Sequence, residues 1–530
     1  MKKWQVIIIL AISQFVMILD STVMNVSIST VAHDLGTTIS GMQAAITVYA
    51  LTMAAFMLTG GKLGDKWGRR KAFVVGSIIY GLGSLITALS PSLPVLFVGW
   101  SIIEGLGAVL VIPAIAALTA INYKDKDRVV AFSILGATTG IAAAAGPLIG
   151  GFMTTYLSWR FVFMAETLIM IVAILVSKRI TDTKVSGKTH IDIKSVILSA
   201  GGMALFVLGI LQSKTWGWIK PLAIPEIGNY QIAPFGISLV SYLIIVGIVL
   251  LWVFARRQKK LEQLDKEPLL KISLLSITPL RSALSVLMSQ YFAIAALFFV
   301  VPVYLQTVLG YDALKTGVKL IPLSIGLVIF SAAGSKATAK YNVRQIVRVG
   351  QLAISIGLFF VFASVQPDLK GTFFWIGMFI TGAGFGLLAS QLGNVSMSSV
   401  DKSDTAVVGG LQGTFQNLGS SMGTAIAGSV FVFMLTSGFV SSIQATTLPS
   451  SVKGAVTAQA STGVAIMSES QAEQLVLENG GTQSEADTIS SAYEDAQLQA
   501  LKQALFVVFV MSIFALMLSR DISSVTQKKS

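Results

Sequence analysis

Cysteine is absent from this chain, and histidine occurs only as His33 and His190. The first absence excludes disulfide scaffolds, thiolate metal sites and cysteine nucleophiles. The second leaves little for a histidine-based metal centre, and no metal or organic cofactor is expected. Charge is scarce too. Asp, Glu, Lys and Arg make up 12% of the 530 residues, against about 25% in a typical soluble domain. With 54% hydrophobic residues and a mean hydropathy of +0.77, most of the chain is too apolar to fold in water. No G-x-x-x-x-G-K-[S/T] string is present, so ATP is not expected to drive the protein directly. The H-E-x-x-H signature is missing as well. The net charge of +13 would suit a nucleic-acid partner in a soluble protein; in an apolar chain it needs another explanation.

A membrane-crossing helix needs about 20 apolar residues. Read that way, the chain divides into fourteen spans: 5–28, 41–60, 72–89, 94–121, 129–154, 160–177, 196–212, 236–254, 279–308, 317–336, 345–363, 372–396, 405–439 and 503–519. The expected fold class is an all-α polytopic membrane protein. The first span follows Met-Lys-Lys, as a signal peptide would. It lacks a small-residue cleavage site and carries Asp20 and Asn25, so it is expected to be retained. Alternate connections, beginning with residues 1–4, hold 30 of the 38 Lys and Arg residues. This is the positive-inside pattern, and it predicts both termini in the cytoplasm. The basic excess thereby becomes an orientation signal, and no nucleic-acid partner is expected. Trp4, Trp159, Trp216, Trp218, Trp252 and Trp375 fall near span ends, where an aromatic belt would place them.

Two stretches read as non-membrane. Residues 255–278 form a charged linker near mid-chain. Residues 440–502 form a polar excursion with seven acids between Glu469 and Asp495. By the alternation of spans the excursion is extracellular, and the apolar spacing at its end predicts a short helix.

The strongest local signal runs from Gly61 to Lys71 (GKLGDKWGRRK), between the second and third spans. Gly68 permits a tight reversal between helices. Asp65 can bridge to an arginine or cap a helix N-terminus, while Arg69, Arg70 and the neighbouring lysines stay on the basic side. A second string runs from Gly136 to Gly151 (GATTGIAAAAGPLIGG). Its Gly136/Gly140 and Gly146/Gly150 pairs let helices approach closely, and Pro147 removes a backbone hydrogen bond. A third, Leu19-Asp20-Ser-Thr22-Val-Met-Asn25-Val, puts an acid inside an apolar span. Ionisable groups there are expensive and are usually retained for a role. The alternative for Asp20 is a structural group hydrogen-bonded to Thr22 or Asn25.

The first string resembles the loop signature of the major facilitator superfamily. That resemblance implies a cytoplasmic gate containing Gly61, Asp65, Gly68, Arg69 and Arg70. A worn copy starts at Gly334, with Thr338 where the acid would sit. The second string resembles the fifth-helix motif of antiporters in that superfamily, carried here by Gly140, Gly146, Pro147, Gly150 and Gly151. The third resembles the signature of the fourteen-helix drug:proton antiporter branch. Together they imply proton-coupled export. The implied architecture is two six-helix bundles, 1–180 and 279–530, with two extra helices and the linker in 181–278.

Two stretches depart from the family pattern, at three positions. In Gly99-Trp-Ser101-Ile-Ile-Glu104-Gly105, serine stands where the family has arginine, and Glu104 where it has glutamine. At Trp159-Arg160-Phe-Val-Phe-Met-Ala-Glu166, the glutamate replaces an asparagine. Glu104 is expected to take part in proton coupling, the alternative being a permanently protonated hydrogen-bond donor. Glu166 is either a second proton site or a structural partner, and its pairing with Arg160 is left open by their spacing. The spans of the second half contain no acid. Gln412 and Gln416, at i,i+4, are possible cavity residues or helix-packing amides.

The expected substrate is an amphiphilic, drug-like small molecule, or alternatively a lipid-like one such as a lysophospholipid. The chain is expected to act as a monomer in the bilayer of the plasma membrane. A membrane enzyme would need a cluster of catalytic polar groups at one interface, and none is legible. A non-transporting sensor would carry no substrate flux.

Overall fold

The computed structural model describes residues 4–123, 125–182, 191–222, 224–227, 230–231, 233–264, 266–338, 340–369, 371–400, 405–460 and 464–522. The side-chain surroundings of Gly136 and Gly140 lie outside this description, as does His190.

Lipid offers no partner for backbone N–H and C=O groups, so apolar runs of this length fold as helices. Among the described residues there are fourteen long ones: α1 Gln5–Val26, α2 Ile39–Trp67, α3 Arg69–Ala88, α4 Leu93–Asn122, α5 Asp125–Tyr156, α6 Arg160–Val176, α7 Ile193–Trp216, α8 Leu239–Gln263, α9 Thr278–Val303, α10 Ala313–Ala337, α11 Val343–Ser364, α12 Gly371–Ser398, α13 Thr405–Ala445 and α14 Gln483–Leu518. All but α5 stand among the thirteen described helices that are long and apolar enough to cross a membrane. The chain is a multi-pass membrane protein. A two-residue antiparallel pair, Glu226–Ile227 with Tyr230–Gln231, is the described β structure.

Several helices run beyond the apolar spans, and side-chain caps set the starts of some of them. Thr38, Asp312, Asn342 and Thr482 each accept a backbone N–H three residues on. Four boundaries differ from the expected spans. The Gly61–Trp67 part of the signature is helical, forming the last turns of α2, and the reversal shrinks to Gly68 alone. The charged stretch after residue 254 continues α8 to Gln263. The first span breaks at Ser27, and a short helix, Ile28–Asp34, follows. Finally, α14 starts at Gln483, twenty residues before the expected span. The polar excursion therefore reduces to residues 446–482, which hold the short helices Ser450–Ala460 and Glu469–Glu478.

The first six helices pack on one another through α1–α5, α3–α4, α3–α6 and α2–α4. The last six do so through α10–α12, α11–α12, α9–α13 and α13–α14. Two helix pairs form the seam between them, α2 with α13 and α5 with α10. α7 and α8 pack together, and α7 lies against both α2 and α13.

The seam is tied at the end away from the chain termini. The Gln306 amide donates to the Val26 carbonyl at 2.6 Å, and Ser29 donates to Gln306. The Leu314 N–H donates to Thr155 Oγ1 at 3.1 Å. Gln43 donates to the Thr424 carbonyl at 3.0 Å and Ser421 to the Thr47 carbonyl at 3.0 Å. Ser421 also sits in a Gly-x-Ser-x-Gly string, Gly419 to Gly423. That string is mid-helix and not the strand-to-helix turn a hydrolase nucleophile occupies.

Candidate functional site: a buried three-carboxyl cluster

Asp20, Glu104 and Glu166 come from three different helices, α1, α4 and α6, and converge on one point. One carboxyl oxygen from each lies within 4.8 Å of the others. All three residues are at most 1% exposed. Two local features bring them together. Phe97–Glu104 is a π-helical stretch within α4. It turns Trp100, Ser101 and Glu104 all to the buried side, a use of the π-bulge common at functional positions. Gly83 of α3 supplies the room: a Cβ there would lie 2.5 Å from the Glu104 nitrogen.

The partners of the cluster are few. The Trp100 indole N–H donates to both Asp20 oxygens, at 2.9 and 3.0 Å. Ser84 of α3 lies between the glutamates, with its hydroxyl 3.0 Å from Glu104 and 3.4 Å from Glu166. The second oxygen of each glutamate is buried with no hydrogen-bond partner. Among the described residues no Lys or Arg pairs with any of the three. An uncompensated group of carboxyls at this separation repels its own charge, so it can take up and release protons.

The open alternatives at these positions have definite outcomes. Thr22 and Asn25 do not hold Asp20. Thr22 donates to the Leu19 carbonyl and Asn25 to the Ser21 carbonyl, leaving Asn25 Oδ1 buried and unpartnered. Arg160 does not pair with Glu166. It pairs with Asp34 at 3.3 Å and donates to the Ser90 carbonyl at 3.0 Å. Trp159 is 1% exposed and donates to Asp34 at 3.0 Å, so it belongs to this buried corner and not to an aromatic belt.

The Gly61–Lys71 signature is tied to Asp182. Arg69 pairs with Asp65 and donates to the Gly61 carbonyl at 3.0 Å. Gly68 adopts φ +97°, a conformation that favours glycine. Asp65 bridges to the arginine, while the start of α3 is held by Asp182, which accepts the N–H groups of Arg69 and Arg70. A Cβ at Gly61 would meet nothing within 4 Å; the residue contributes its carbonyl.

In the α5 motif, Gly140 lies outside the described surroundings. The other members sit where three helices meet. A Cβ at Gly146 would lie 1.8 Å from Thr22 Oγ1, and one at Gly150 2.9 Å from the Val23 Cα, both on α1. A Cβ at Gly151 would lie 2.6 Å from the Ala313 carbonyl oxygen of α10. The Pro147 carbonyl oxygen in turn faces Gly317 of α10. The motif therefore packs α5 against α1 on one side and across the seam on the other. Gln412 donates to the Gly393 carbonyl at 3.0 Å, a packing contact with α12. Gln416 is half-buried and bonds to no described residue.

Sequence reasoning missed Trp100, Ser84 and Asp182. A tryptophan in mid-span was a usable signal, because its N–H must find a partner when buried. The others carry no local mark.

Comparison with known proteins agrees with this architecture. The family model of the Major Facilitator Superfamily matches residues 10–213 and 193–424. The puromycin resistance protein pur8 of Streptomyces alboniger is 24% identical over 434 residues, covering 81% of this chain and 82% of that protein. A probable actinorhodin transporter of Streptomyces coelicolor is 24% identical over 451 residues, covering 83% of this chain and 75% of that protein. Among solved structures, an inward-facing bacterial homologue of the human lysosomal transporter Spinster has a TM-score of 0.59 at 15% identity. It covers 98% of both chains, a likeness of fold alone. Fourteen long helices, two helix groups meeting along α2–α13 and α5–α10, and the family match lead to one conclusion: the chain belongs to the Major Facilitator Superfamily.

Proposed function

We propose that this protein is a proton-coupled antiporter that exports amphiphilic, drug-like compounds across the plasma membrane. The observation that carries the reading is the three-carboxyl cluster. Asp20, Glu104 and Glu166 are buried, paired with no cation among the described residues, and contributed by helices of one half only. A proton entering from outside neutralises the cluster and favours release of substrate outward; loss of the proton inward resets it. Its donors are carboxyl oxygens with no imidazole or thiolate, and we read it as a proton-handling site. The relatives named for puromycin resistance and actinorhodin transport support export of small organic molecules. The basic connections support an orientation with both termini in the cytoplasm.

The test is transport in everted membrane vesicles, with protons released on substrate addition followed by a pH-indicator dye. Wild-type protein accumulates substrate when a pH gradient is imposed, and Asp20→Asn combined with Glu104→Gln abolishes the proton release. Release that survives both substitutions would overturn the assignment.

A second substrate reading rests on a different observation. Helices α9 to α13 contain no Asp or Glu, so these helices offer no carboxylate to a cationic drug. A lipid-like substrate such as a lysophospholipid needs none. Competition between a cationic dye and a lysophospholipid in the same vesicles separates the two readings.

A further inference from the structure

Trp100 touches two things at once. Its N–H bonds both oxygens of Asp20. Its ring stacks on Tyr49 of α2, with centroids 4.8 Å apart and planes 9° from parallel. The next residue, Ser101, donates to the Ala45 carbonyl of α2 at 2.8 Å. The same short stretch of α2 carries the seam on its other side: Gln43 donates to the Thr424 carbonyl, Ser421 donates to the Thr47 carbonyl, and Gly428 lies against the Gln43 side chain. Residues 43–49 are thus gripped by Trp100 and Ser101 from within the first half and by α13 from the second.

We infer that Trp100 is the positioning residue that carries the state of Asp20 to the seam between the two halves. The inference rests on the proton-coupled reading above. A carboxylate accepts the indole N–H at both oxygens. Once a proton occupies one oxygen, that oxygen becomes a donor and faces another donor, so one of the two bonds is lost. The single indole N–H is then held by one oxygen alone, which changes how the indole seats on Tyr49. Tyr49 and its neighbours then transmit the change, because packed cores switch between discrete arrangements. The titratable groups facing Asp20 are Glu104 of α4, Glu166 of α6, Tyr49 of α2 and Tyr80 of α3. No described charged side chain of α5, α9 or α10 contacts it.

The experiment uses the full chain in two forms. Trp100→Phe keeps a stacking ring and removes the N–H. In dye measurements of substrate-induced proton release, its pH midpoint should move by about one unit or more. A role confined to packing scales the amplitude and leaves the midpoint in place, and that result overturns the inference. The second measurement leaves every tryptophan in place. In protein labelled with 5-fluorotryptophan, one 19F resonance should titrate with the midpoint of proton release and stop titrating in Asp20→Asn. Absence of a titrating resonance overturns the inference even where Trp100→Phe does not fold. If wild-type protein releases no proton on binding substrate, the proton-coupled reading fails first. If wild type releases protons and Trp100→Phe does so with an unmoved midpoint, only this inference fails.

Discussion

Asp182 accepts the backbone N–H of Arg69 at 3.2 Å, and with its other oxygen that of Arg70 at 3.0 Å. It is an anion seated on the N-terminus of α3, 112 residues away in sequence from Arg70. Arg69 meanwhile closes the Asp65 pair, so the signature between α2 and α3 is anchored to the chain that follows α6.

Removing that anchor should cost stability locally. Asp182→Ala is expected to destabilise the protein by about 1 kcal/mol, the usual loss on deleting a helix cap, and Asp182→Asn by less. Thermal unfolding of the purified variants measures this. Equal melting temperatures for all three proteins would show that the anchor is redundant.

Acid stability should depend on a second aspartate. Asp192 accepts from Arg257 at 2.6 and 2.9 Å, and these bonds hold its carboxyl at about 2, below the ordinary 3.8. The unfolded chain therefore binds more protons than the folded one in this window. The pair's stabilisation is complete above the ordinary value and is lost as pH falls through about 2. Asp192→Asn should melt lower than wild type at neutral pH and lose less on acidification. Melting curves that stay parallel down to the acid end contradict this.

The closed end of the seam has a steric test. A Cβ at 317 would sit 2.2 Å from the Pro147 carbonyl oxygen. Gly317→Ala should disfavour the closed end by about 1–3 kcal/mol, which is about fivefold to 150-fold in the equilibrium between closed and open. The natural absence of cysteine makes the readout simple. Ala313→Cys, buried at 4% exposure, supplies a single thiol. Its labelling by a water-soluble maleimide should quicken by about fivefold or more in the Gly317→Ala background; an unchanged rate rejects the prediction.

A polar test addresses the same end. Gln306→Ala removes the amide donated to Val26 and the acceptor used by Ser29. Leaving the Val26 carbonyl unpaired costs about 1–3 kcal/mol. Labelling at Ala313→Cys should again accelerate, without the steric clash. No change would mean that the apolar packing of α5 on α10 holds this end closed unaided.

The helices and their number were legible because lipid leaves long apolar runs no other fold. Their ends were not. α14 starts among polar residues because Thr482 caps it there, and α2 runs on through charged residues as far as the reversal at Gly68. The acids were legible for a related reason: against so apolar a background, a buried Asp or Glu stands out. Their partners did not. Glu166 has Arg160 six residues away and bonds instead to Ser84, eighty-two residues distant.

The amino-acid sequence by itself determined the solvent this protein lives in, the layout of its helices and the three acids worth naming. Hydropathy and charge act residue by residue, so a linear reading recovers them. Only the tertiary structure decided that those acids form one cluster, that Trp100 joins it to α2, and that Asp182 anchors the signature. Those relations depend on the way helices distant in sequence pack together. Gly83 and Gly317 permit that packing, but nothing in their neighbouring residues announces it.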